Sequence, residues 1–151
     1  MIKTILLLST LLSVSVHASD LHGKWVGKGL WNMGSVLKHY ETQVSLDVKI
    51  SDTQVVLKDC WQPVPYGTNG KSICYDTTYD LKEGRIYFEG NWIGYLEPSQ
   101  MLAFYGNSQV SEQIIIHYVA KDKIQFVYSY ANFDGDTHYR VHDLTRVNPS
   151  M

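Results

Sequence analysis

The sequence predicts an all-β fold: an antiparallel up-and-down meander of about eight to ten short strands that closes on itself as a barrel. Three observations carry this. Residues 40–50, YETQVSLDVKI, alternate strictly between two kinds of side chain, the pattern of a strand with one dry and one wet face. Turn-forming residues recur at short intervals, and almost nothing shows the period of an amphipathic helix. The 4 Trp, 11 Tyr and 4 Phe suit a half-buried pleated surface.

The elements follow in order. LHGKWVGKGLW, residues 21–31, sets three glycines beside two tryptophans and reads as the first strand. Residues 32–39, NMGSVLKH, suit a short helical turn or a lip. In the strand 40–50, Tyr40, Thr42, Val44, Leu46, Val48 and Ile50 face one way, with Glu41, Gln43, Ser45, Asp47 and Lys49 opposite. Ser51-Asp52-Thr53 turns the chain into QVVLKDCW, 54–61. The connection from Gln62 to Lys71 holds Pro63, Pro65, Gly67 and Asn69-Gly70, residues that break strands and form turns. SICYDTTYDL follows, and Glu83-Gly84 turns it into RIYFEG. NWIGYL and MLAFYG flank Glu97-Pro98-Ser99. QIIIHYVA and KIQFVYSYANF are separated by Lys121-Asp122. Asp134-Gly135 is the strongest hairpin signal, read as a type I′ turn with positive φ at both central residues. THYRVHDLTRV is the last strand. No linker or shift of composition divides the chain.

Residues 1–18 read as a signal peptide: Lys3 supplies the positive start, ILLLSTLLSVSV the apolar run, and Val16-His17-Ala18 the cleavage site. The apolar run is shorter than the roughly 20 residues of a membrane span. The single domain expected at 19–151 is therefore exported, to a bacterial periplasm or the medium. Cys60 and Cys74 are the two cysteines, and in an oxidising compartment they read as one structural disulfide. The net charge of −2 and the lack of a basic cluster argue against nucleic acid and anionic membranes as partners.

The opening Gly23-Lys24-Trp25, just after a leader and before an antiparallel meander, resembles the G-x-W first strand of lipocalins and their smaller calycin-like relatives. The resemblance implies a lipocalin-like barrel in which Trp25 plugs the closed end against a basic side chain of the last strand, Arg140 or Arg146. It also implies a ligand taken at the open end. Gly27 and Gly29 then let the strand bend or a neighbour approach closely. Alternation puts His138, Arg140, His142 and Arg146 on one face of the last strand, so an inward Arg requires that polar face to point inward or a bulge to switch it.

The sequence holds no G-x-S-x-G, H-E-x-x-H or phosphate loop. No residue set combines nucleophile, base and oxyanion site, so no catalytic residues are assigned and binding is preferred to catalysis. His138 and His142, four apart on one strand, are separated by about 13 Å at 3.3 Å per residue; they cannot share a metal, and no metal or cofactor is expected. The candidate ligand-binding rings are Trp31, Trp61, Trp92, Tyr118, Tyr128, Tyr130 and Tyr139. They line a pocket for a small apolar or aromatic molecule, or else pack the core. The alternative class is a protein-interaction barrel, such as a protease or lysozyme inhibitor, that contacts its partner through the loop 62–71. A cavity of about 300 Å³ or more favours the first class; a solid core favours the second.

Overall fold

In the computed structural model, which describes residues 20–33, 40–62 and 71–148, the chain is a closed barrel of ten strands. These are β1 (Gly23–Met33), β2 (Tyr40–Ile50), β3 (Gln54–Trp61), β4 (Ile73–Lys82), β5 (Arg85–Phe88), β6 (Asn91–Glu97), β7 (Gln100–Gly106), β8 (Val110–Ala120), β9 (Lys123–Asn132) and β10 (Thr137–Arg146). Each strand pairs antiparallel with its sequence neighbours, and β10 pairs with β1 to close the ring. The fold is the lipocalin-like, all-β meander expected. Residues 1–18, where a leader is expected, lie outside the described residues, as do 34–39 and 63–70, the greater part of two connections singled out above. Among the described residues no helix is long and apolar enough to cross a membrane.

Side-chain alternation sets the interior. On β2, Thr42, Val44, Leu46 and Val48 are buried while Glu41, Gln43, Ser45 and Lys49 are exposed, so the apolar parity points inward. The same rule puts Val55, Leu57, Asp59 and Trp61 of β3 inside, and Arg140, His142 and Leu144 of β10. The polar face of the last strand therefore points inward without a bulge. Its ladder with β1 runs unbroken from Trp25↔Arg146 through Gly29↔His142 to Trp31↔Arg140.

That ladder explains the glycines of the first strand. Trp25, Gly27, Gly29 and Trp31 share the inward parity of β1, and both tryptophans are buried. A Cβ at Gly29 would collide with the His142 ring and the Val141 carbonyl; one at Gly27 would collide with the Asp143 carbonyl. The space a side chain would take on β1 is filled from β10. Small residues between two large ones let the seam close without voids.

The turns match the sequence in most places. Glu83-Gly84 has positive φ at both positions, 52° and 74°, as a type I′ hairpin requires. Glu89-Gly90, which closes the run RIYFEG, does the same at 50° and 78° and separates β5 from β6. Asp134-Gly135 differs from expectation. Of these two residues only Gly135 has positive φ, and the β9–β10 connection spans four residues. Gly135 N–H donates to the Asn132 carbonyl, while the Asn132 side-chain oxygen accepts from Asp136 N–H at 2.8 Å. Asn132 organises a wider loop in place of a two-residue turn.

Cys60 and Cys74 face each other across β3 and β4 and form a disulfide. Both lie on the outward parity, so the bond staples the outside of the wall.

Candidate functional site

One end of the barrel is plugged. Trp25 is fully buried and donates from Nε1 to the Leu21 carbonyl at 2.9 Å. The Arg146 guanidinium lies 4.2 Å from the centre of the Trp25 ring, within cation–π range. Arg146 also donates to the His22 and Asp20 carbonyls and pairs with Asp122 at 3.3 Å. These contacts tie the segment before β1 to the end of β10. The plug uses Arg146; Arg140 lies farther along β10, opposite Trp31, and is not part of this floor. Gly23, with φ at +138°, leaves room for the Arg146 Nη1, which a Cβ there would meet at 2.8 Å.

Beyond the core the barrel encloses a cavity of about 570 Å³. Its apolar base includes Leu46, Leu57, Ile93, Ala103, Ile114 and Phe126. Its sides carry Trp61, Tyr79, Tyr105 and Tyr128, and its rim includes Tyr75, 55% exposed, together with Tyr130 and His138, whose rings meet edge to face at 5.7 Å. Ten strands make a wider ring than eight, and eight already leave room for about one small ligand.

Three charged residues stand in this wall. Arg140, 3% exposed, contacts the Asp59 carboxylate at 2.6 Å. The guanidinium sits among three rings, 4.5 Å from the centre of Tyr128, 4.8 Å from Trp61 and 5.7 Å from Phe126. Glu112, the third, is hydrogen-bonded to the Tyr128 hydroxyl. Burial pushes the Asp59 carboxyl up from its ordinary value while Arg140 pulls it back, and burial likewise raises Glu112. Burial raises the Tyr79 and Tyr128 phenols too, so both remain neutral. His138 is lowered, mainly by burial. Asp59 Oδ1, Arg140 Nη1 and Trp61 Nε1 are buried without a hydrogen-bond partner.

The candidate rings separate into four placements. Trp61, Tyr128 and Tyr130 line the cavity. Trp31 is buried behind Trp61, edge to face at 5.1 Å, and supports that wall without forming it. Tyr118 lies on the inner face of β8, packed against the core near the plugged end. Trp92 and Tyr139 point outward, 54% and 45% exposed. Ile93 and Arg140 take the inward positions beside them, and the Trp92 indole donates to the Gly94 carbonyl at 2.9 Å. Trp92 and Tyr139 are therefore withdrawn as cavity residues.

Asp59 and Glu112 were not singled out in the sequence, although their parity marks them. Each stands where its strand otherwise turns apolar side chains inward, beside Leu57 and Trp61 or beside Ile114 and Ile116. Among the described residues no group of three or more His, Cys, Asp or Glu side chains is placed to hold a metal.

No family model and no curated protein matches this sequence. Solved structures do match its shape. The S-type phycobiliprotein lyase of Guillardia theta superposes with a TM-score of 0.62 at 9% identity, over 87% of this chain and 90% of that one. A DUF3598-family protein of unknown function from Nostoc punctiforme gives 0.60 at 14% identity, over 85% of this chain and 48% of that one; the chain thus spans about half of that relative. The likeness is one of fold: this is a lipocalin-like antiparallel barrel, plugged at one end and hollow toward the other.

Proposed function

We propose that the protein is a carrier for one small apolar or aromatic molecule, held in the barrel interior. The observation that carries this is the cavity of about 570 Å³ bounded by Trp61, Tyr79, Tyr105 and Tyr128. Ligand pockets span roughly 300–1,000 Å³ and are lined by apolar and aromatic groups with a few placed polar ones. A solid core would have favoured an inhibitor acting through its surface. A barrel of this shape also serves as a phycobiliprotein lyase. The leader-like residues 1–18 and the Cys60–Cys74 bond support export as the setting.

Native mass spectrometry of the protein purified from its own host, before and after denaturation, tests the reading. A small molecule that leaves on unfolding, one per chain, supports the carrier. A bare protein that also takes up no apolar compound from a panel contradicts it, and directs attention to a protein partner at the 62–71 connection.

A further inference from the structure

The charges of the cavity wall narrow the ligand. Among the described wall residues Arg140 is the one cation, and it is already engaged by Asp59 at 2.6 Å. Glu112 adds a second carboxyl, and His138 carries no obligatory charge. The wall is therefore neutral or negative, even though it contains a buried arginine. A carboxylate or phosphate entering it meets a guanidinium already paired with the Asp59 carboxylate, a second acid at Glu112 and, among the described wall residues, no further cation to offset its own charge.

The unpartnered atoms of Arg140, Asp59 and Trp61 point to the complementary chemistry. Arg140 Nη1 and Trp61 Nε1 are donors without an acceptor, and Asp59 Oδ1 is an acceptor without a donor. Buried polar atoms of this kind are ordinarily satisfied by protein, water or ligand. A planar edge that offers a carbonyl beside an N–H supplies both missing roles in one group. The aromatic faces of Trp61, Phe126 and Tyr128 around Arg140 suit a flat molecule bearing that edge.

We infer that the cavity selects an uncharged, planar, amide- or lactam-bearing ligand and discriminates against carboxylates. The inference rests on the carrier reading and specifies the ligand class of the same site. Asp59 sets the selectivity: it occupies the arginine that an anionic ligand would otherwise use.

Calorimetric titration of the full chain at neutral pH with naphthalene, 2-naphthamide and ionised 2-naphthoate tests it, since the three share one ring system. The amide is expected to bind about tenfold or more tighter than the naphthoate. Asp59→Asn frees Arg140 and is expected to erase or invert that ratio. Should Asp59→Asn fail to fold, Glu112→Gln removes the other acid and is expected to narrow the ratio. Naphthoate binding as tightly as the amide, or a ratio unchanged in the variant that folds, overturns the selectivity while leaving a carrier. Failure of all three compounds to bind overturns both.

Discussion

Arg140 of β10 and Asp59 of β3 meet inside the barrel at 2.6 Å, 81 residues apart in sequence and with β1 and β2 between their strands. The pair stands in the cavity wall among the rings of Trp61, Phe126 and Tyr128, and Asp59 offsets the positive charge that the interior of β10 would otherwise present.

Breaking this pair on one side leaves a buried charge alone. Arg140→Met is expected to cost about 3–5 kcal/mol, whereas the double change Asp59→Leu with Arg140→Met costs far less than the two single changes added. Urea denaturation of the four proteins checks this. Additive losses would mean that the two side chains act independently.

The plugged end depends on Arg146. Arg146→Ala removes the cation over Trp25 and the donors to the His22 and Asp20 carbonyls. A loss of about 1–3 kcal/mol is expected from the cation–π contact and the hydrogen bonds together. Arg146→Lys restores only part, because an ammonium lacks the planar fork. Full stability in the alanine variant, measured by denaturant midpoint, would count against this role.

The β1–β10 seam has no space at Gly29. Gly29→Ala is expected to destabilise the barrel by about 1–3 kcal/mol or more through overpacking against His142 and the β10 backbone. Gly106→Ala serves as the control: its nearest neighbour would be 3.4 Å away, and about zero cost is expected there. Equal effects in thermal melts would show that glycine at 29 is not a packing requirement.

His142 makes the fold sensitive to acid. The ring is fully buried, stacks near Phe126 at 6.1 Å, and neither nitrogen has a partner. Burial, and then the Arg140 charge, lower its pKa to about 4 from the ordinary 6.5. Between those values the unfolded chain binds the proton and the folded one does not, so stability falls as pH drops from 6.5 toward 4. The linkage amounts to up to about 3 kcal/mol. Asp59 and Glu112, whose carboxyls are raised, act in the opposite sense on acidification. Comparing the native chain with His142→Leu isolates the histidine, and the variant's stability is expected to fall less over that window. Parallel pH profiles would contradict the assignment.

Much of this architecture was legible because strand parity is a local rule. The alternation of residues 40–50 fixed which face of β2 is buried, and Glu83-Gly84 fixed a hairpin, from neighbouring residues alone. The Trp25 plug was implied by the resemblance of Gly23-Lys24-Trp25 to a lipocalin first strand rather than by parity, and only pairing register chose Arg146 over Arg140. Trp92 and Tyr139 were misplaced for want of the same rule: a large ring suggests a pocket, but Ile93 and Arg140 already hold the inward parity beside them. Glu112 escaped notice because strand β8 begins at Val110, three residues before the apolar run that announced it. Asp59 stood in plain view on the apolar parity of QVVLKDCW. The cavity itself has no local signature, since its volume depends on strand number and on how the ring closes.

The central claim, one molecule inside the barrel, is tested most directly by fluorescence titration of the full chain with the neutral apolar probe N-phenyl-1-naphthylamine, repeated on Ala103→Trp. Ala103 is buried on the inner face of β7 and forms part of the cavity base, so a tryptophan there fills the space a ligand would occupy. The account predicts saturable one-to-one binding to the native chain, and loss of that binding in a variant that keeps its β-sheet circular dichroism. Undiminished binding by the filled barrel, or no saturable binding by the native one, would contradict it.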